Sequence, residues 1–112
     1  MAEYANNFTQ TGVIAINTDL QVIDCGKAIK SISIQVSSLG TTGVITPEWS
    51  NDNTNWVAAT IYTPAAVAAT TISAAGLWIT NTKARYFRLR LSTATTAGTT
   101  TISSFGFQSI AI

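Results

Sequence analysis

Short apolar runs recur along the chain roughly every eight to twelve residues, each closed by turn-forming residues, a spacing that marks sandwiches and barrels. No stretch carries the spacing of an amphipathic helix. The pattern predicts an all-β fold, an antiparallel β-sandwich of about eight strands. Expected strands cover residues 12–16, 20–23, 30–37, 44–50, 56–62, 70–73, 77–81, 85–92 and 99–107. Two alternate most cleanly. In 30–37, Ile32, Ile34 and Val36 oppose Ser31, Ser33 and Gln35. In 85–92, Phe87, Leu89 and Leu91 oppose Tyr86, Arg88 and Arg90.

Between two indoles lies a polar turn, Trp49-Ser-Asn-Asp-Asn-Thr-Asn-Trp56, which predicts a hairpin. Pro47 lacks an N–H, so its strand is expected at an edge or at a bulge. Residues 63–69 read as a surface loop. Residues 1–11 show no strand alternation and carry Tyr4 and Phe8 among small polar residues. They are expected to form an N-terminal arm that docks on a partner through those two aromatics. Residues 12–112 form a single domain, ending in an apolar Ser-Ile-Ala-Ile expected to be paired or held by a neighbour.

Composition changes the picture at the surface. Charged residues make up 10% of the 112, against about 25% in typical soluble domains, so Thr, Ser, Asn and Gln must supply the polar surface. Such a surface suits a protein packed against copies of itself or a larger body. A net charge of +1 disfavours nucleic acid, which needs a basic face, and a polybasic membrane contact. There is no apolar run long enough for a spanning helix, roughly 18 residues. The first residues lack the basic start and apolar core of a signal peptide, which predicts assembly in the cytoplasm.

Candidate chemistry is sparse. Without histidine, the commonest general base and zinc ligand is missing, and no cofactor or metal is expected. Of five carboxylates, Glu48 and Asp52 flank Trp49, but Asp52 belongs to a turn that needs it for its own hydrogen bonds. No catalytic role is expected. A calcium loop starting at Asn51 would need Gly and Glu at its sixth and twelfth positions, where Trp56 and Tyr62 stand. Lone Cys25 is expected to be a buried apolar residue. Arg85, Arg88 and Arg90 form a short basic stripe, with Arg88 and Arg90 suited to carboxylates across an interface. Trp49, Trp56 and Trp78 are expected mostly in the core or at oligomer contacts, with Trp56 and Trp78 the alternative platform for stacking sugars. The sequon Asn7-Phe8-Thr9 carries no weight without a secretion signal.

The Trp49–Trp56 turn, read with Ala84-Arg85-Tyr86-Phe87-Arg88-Leu89, resembles the discoidin/galactose-binding-like jelly rolls. Asn53 stands where that hairpin usually has Gly, and Asn tolerates the same positive φ. Residues 32–102 as a whole resemble small tailed-bacteriophage virion proteins, in the Glu-x-Ser-Asn-Asp-x-Thr-Asn-Trp turn, the Ala-Ala-Gly-Leu strand and the Arg-Tyr-x-Arg strand. The resemblance implies a jelly-roll sandwich and a virion structural role. The expected role is a capsid decoration or cement protein that binds the major capsid protein at subunit joints and itself as a dimer or trimer. The alternative is a tail or tail-fibre module recognising host-surface glycan. Sugar- and lipid-binding loops of discoidin domains are not visible, so their ligands are not carried over.

Overall fold

The computed structural model describes residues 4–26 and 29–108, without the side chains of Tyr4, Ala5 and Gln108. Its ten strands are β1 (Tyr4–Thr11), β2 (Asp19–Asp24), β3 (Ile29–Ser38), β4 (Val44–Ser50), β5 (Val57–Ala58), β6 (Ile61–Tyr62), β7 (Ala68–Ala69), β8 (Gly76–Asn81), β9 (Tyr86–Thr93) and β10 (Thr99–Gln108). They form two antiparallel sheets, ordered β1-β10-β3-β8-β6-β7 and β2-β9-β4-β5. With the two-residue β6 and β7 set aside, the order β1-β10-β3-β8 over β2-β9-β4-β5 is jelly-roll connectivity. The expected all-β sandwich is therefore what the chain builds.

Alternation explains the core. Ile32, Ile34 and Val36 of β3 face Phe87, Leu89 and Leu91 of β9 across the sandwich, and all are buried together with Ile23, Ile45, Ile61, Ile72 and Ile102. Trp49 of β4 packs against Phe87 with ring centroids 4.8 Å apart and planes tilted by 55°. Cys25 is buried, and burial pushes its thiol pKa up, which keeps it protonated. The C-terminal Ser-Ile-Ala-Ile lies outside the described residues.

Four expectations are corrected. Residues 70–73 form no strand but a single bridge from Ile72 to Ile45. Residues 4–11 are not a free arm: they are the edge strand of the larger sheet, paired with β10 from Tyr4↔Gly106 to Thr11↔Thr99. Phe8 packs against the core, while Tyr4's side chain is outside the described set. The strand has no apolar alternation because the backbone ladder needs none and the interior row opposite it holds Ser104 and Gly106. Residues 12–16 form a connection, in which buried Ile14 is held by its backbone, rather than a strand. The span 56–62 breaks in two: β5 pairs with β4, then β6 crosses to the other sheet. Pro47 fits this break. Its carbonyl accepts from Ala59 N–H at 2.9 Å on the side away from β9, so its missing donor falls where the partner strand ends.

The Thr-rich stretch before β10 fastens one end of the sandwich. The hydroxyl of fully buried Thr95 accepts the Ile14 N–H at 2.7 Å and donates to the Gly12 carbonyl at 3.2 Å. Gly40 and Gly43 lie so close that a Cβ on either would come within 2.9 Å or 2.7 Å of the Thr95 methyl. Thr95→Val keeps the shape but orphans a buried N–H, which costs about 1–3 kcal/mol. Chemical denaturation should show the midpoint fall with the slope unchanged, whereas exposed Thr96→Val should stay within about 0.5 kcal/mol of wild type. Equal losses for the two variants would refute this role for Thr95.

Candidate functional site

The outer face of the four-stranded sheet gathers most of the charge. Alternation that sends Phe87, Leu89 and Leu91 inward sends Arg88 and Arg90 outward, and on β4 it sends Glu48 outward opposite Trp49. Glu48 sits directly across from Arg88 and diagonally from Arg90. Its Oε1 accepts from Arg88 Nε at 2.7 Å and from Arg90 Nε at 3.1 Å. Arg88 Nη1 also reaches Asp19 Oδ1 at 3.5 Å, and Arg90 Nη1 donates to Asn17 Oδ1 at 2.9 Å. Two cations and two carboxylates thus neutralise one another within one patch.

Burial pushes the Glu48 carboxyl pKa up, but the hydrogen bonds from Arg90 and Arg88, with their charges, outweigh it and hold the pKa below its ordinary 4.5. Trp56, half-buried at the end of the Asn-rich turn, lies under the Arg88 guanidinium, whose carbon is 4.2 Å from the ring centroid. One face of this indole is therefore already occupied. Together with Thr54 and Asn55, these groups line a shallow depression of about 520 Å³.

The turn holds itself. Asp52 Oδ1 accepts the N–H groups of Asn55 and Thr54 at 2.8 and 2.9 Å and the Ser50 hydroxyl at 2.9 Å, while Oδ2 takes the Asn55 amide at 2.7 Å. The Asn55 N–H, then its side chain, then Thr54 and Ser50 hold the Asp52 carboxyl far below its usual range. Asn53 takes φ 60°, the left-handed conformation expected of it. Among the described residues no group of three or more acidic or Cys side chains is placed to hold a metal ion.

Trp78 lies apart from Trp56, on the inner face of β8 against the core, with its ring folded over Gly76. A Cβ at Gly76 would come within 2.7 Å of it. Phe8 likewise points inward, away from the patch that Arg88 and Arg90 share, while the Tyr4 side chain lies outside the described residues.

Sequence reasoning missed the outer face of the six-stranded sheet. There Tyr62, Leu77, Ile79 and Phe107 are each 40–46% exposed, and Phe105 stacks on Phe107 with centroids 4.7 Å apart. Among the described residues of these six strands, Lys30 is the one charged side chain; Asn7, Thr9, Ser31, Ser33, Gln35 and Ser103 fill the remaining face. The available signal was that β8 and β10 carry apolar residues on both parities, which a one-sided core does not need.

Glu48→Gln should destabilise the fold at pH 7 by about 1–3 kcal/mol by weakening hydrogen bonds to two guanidinium groups. Because the folded carboxyl is the stronger acid, its contribution is complete above pH 4.5 and fades as pH falls through the lower folded value. Thermal melts of both proteins from pH 7 to pH 3 should therefore converge on acidification. A gap that stays constant would show that Glu48 charge does not support the fold.

No family model matches the chain, and no curated protein matches its sequence. Among solved structures, the crystal structure of the SPBc2 prophage-derived protein YomS superposes with a TM-score of 0.72 at 11% identity, over 95% of each chain. At that identity the two share a fold.

Proposed function

We propose that this chain is a bacteriophage virion structural protein, a decoration or cement subunit that binds the major capsid protein at joints between subunits and associates with copies of itself. The observation that carries the reading is the outer face of the six-stranded sheet, whose strands hold no charged side chain except Lys30 among the described residues, and which presents Tyr62, Leu77, Ile79 and Phe107 to solvent. Exposed apolar side chains gathered on one hydroxyl- and amide-rich face mark a contact surface. The opposite sheet has its arginines and carboxylates paired internally, so it offers little uncompensated charge for steering a partner. The shared fold with a prophage-derived protein supports the phage setting. Many copies on a lattice would turn modest single contacts into strong overall attachment.

The mechanism needs no cofactor or catalysis: apolar burial at each joint opposes the separation of neighbouring capsid subunits. A second reading, a tail-associated glycan module, is favoured by the amide- and carboxylate-lined depression beside Trp56.

Co-sedimentation with purified empty capsids tests the first reading. Wild type should pellet with capsids, and Leu77→Lys/Ile79→Lys should lose at least about tenfold in apparent affinity while melting near the wild-type temperature. Absence of capsid binding by wild type would sink the decoration role. Glycan-array binding lost on Trp56→Ala would move the assignment to the second reading.

A further inference from the structure

The two sheets end differently on the side where β1 and β2 are the outermost strands. The β2 edge is defended: it is six residues long, carries Asp19 and Asp24 at its ends, and its pairing with β9 shifts register between Asp19 and Gln21. Charge and irregularity are the usual protections of an open edge. The β1 edge has none of them. Tyr4–Thr11 is eight residues long, holds no Pro, Lys or other charged residue, and pairs with β10 without a register shift. Such an edge offers a ready ladder of backbone donors and acceptors to another strand.

We infer that β1 is the self-association element of this protein: two copies pair their β1 strands antiparallel about a twofold axis, joining two six-stranded sheets into one. This rests on the self-association proposed above and names its surface. An antiparallel edge is its own complement, because a twofold axis brings the donors of one copy to the acceptors of the other. An uncharged strand also meets its copy without like-charge repulsion.

The symmetry further restricts the register. An axis perpendicular to the sheet keeps each outer face outward, so a residue can oppose only one of its own parity. The greatest overlaps then place the axis at Asn7, pairing residues 4–10, or at Phe8, pairing residues 5–11. At the first, Asn7 meets Asn7 of the second copy; at the second, it meets Thr9. Both side chains are exposed on the outer face. The joined sheet would set two uncharged faces side by side, doubling the surface assigned to capsid contact. Edge pairing alone is a small interface, so the dimer is weak and concentration-dependent.

Sedimentation equilibrium from micromolar to millimolar protein should show a reversible monomer–dimer equilibrium. Asn7→Lys, and separately Asn7→Lys/Thr9→Lys, should weaken it by roughly tenfold or more with circular dichroism and melting preserved. Under mild oxidation, Asn7→Cys alone or Asn7→Cys/Thr9→Cys should form a covalent dimer, and Leu77→Cys, far along the same sheet, should not. A wild type that stays monomeric at every concentration overturns the proposal, as does a dimer unaffected by the lysines or cross-linked equally at Leu77. Monomeric protein that still binds capsids would remove this interface and spare the decoration role; a β1 dimer that ignores capsids would do the reverse.

Discussion

Much of the molecule depends on the two-sidedness of β9. One face supplies Phe87, Leu89 and Leu91, fully buried, with Phe87 against Trp49. The other supplies Arg88 and Arg90, which converge on a single oxygen of Glu48. Because strand period is two, these roles cannot be separated: a slip of one residue would bury guanidinium groups and expose the core. The Glu48 cluster thus acts as a register lock from outside while the aromatic pair acts from inside. A carboxylate only 11% exposed is tolerable there because two cations compensate its desolvation.

That arrangement also concentrates charge on one sheet. Arg85 pairs with Asp24 at 3.3 Å, and with Asp19, Glu48, Arg88 and Arg90 this places six charged residues on the β2-β9-β4-β5 side. The larger sheet is left to Thr, Ser, Asn, Gln and exposed apolar groups. Low total charge, visible in composition, is therefore not spread evenly. It leaves one side of the sandwich nearly neutral, which is the side on which a contact with little electrostatic direction is expected.

Where side-chain pattern and backbone pairing agree, the sequence was legible. β4 spans the seven residues expected of it, β9 alternates as read, and Asn53 takes the positive φ that its place in the turn demanded. The reading failed where backbone pairing needs no pattern. β1 is polar on both parities yet forms eight ladder pairs, because an edge strand gains its place from β10's unpaired backbone and needs one anchor, Phe8. Ile14 failed in the opposite sense: its apolar neighbours suggested a strand, but Thr95, distant by 81 residues, captures its N–H. The Glu48 cluster was hidden because it joins residues from β2, β4 and β9, and only strand order brings those together.

The least satisfied part of the interior lies where β1 is attached. The Gln21 amide of β2 donates to the Asn6 carbonyl of β1 at 3.2 Å, tying the two sheets together at this edge. Beside it, Gln21 Oε1 and Ser104 Oγ are buried with no hydrogen-bond partner among the described residues, and Ser104 sits directly opposite Asn6. An unmet buried polar atom costs about 1–3 kcal/mol, whereas the isoleucines of β3 and leucines of β9 incur no such penalty. The middle strands are therefore held by apolar packing, whereas β1 is held mainly by polar contacts: its ladder, the Gln21 amide and side-chain bonds to Thr99 and Ser103, with Phe8 against the core. Extending that ladder on its open side adds backbone hydrogen bonds where side-chain packing contributes least. The sparse apolar packing of this edge and its open backbone have the same origin, a polar strand placed by its ladder.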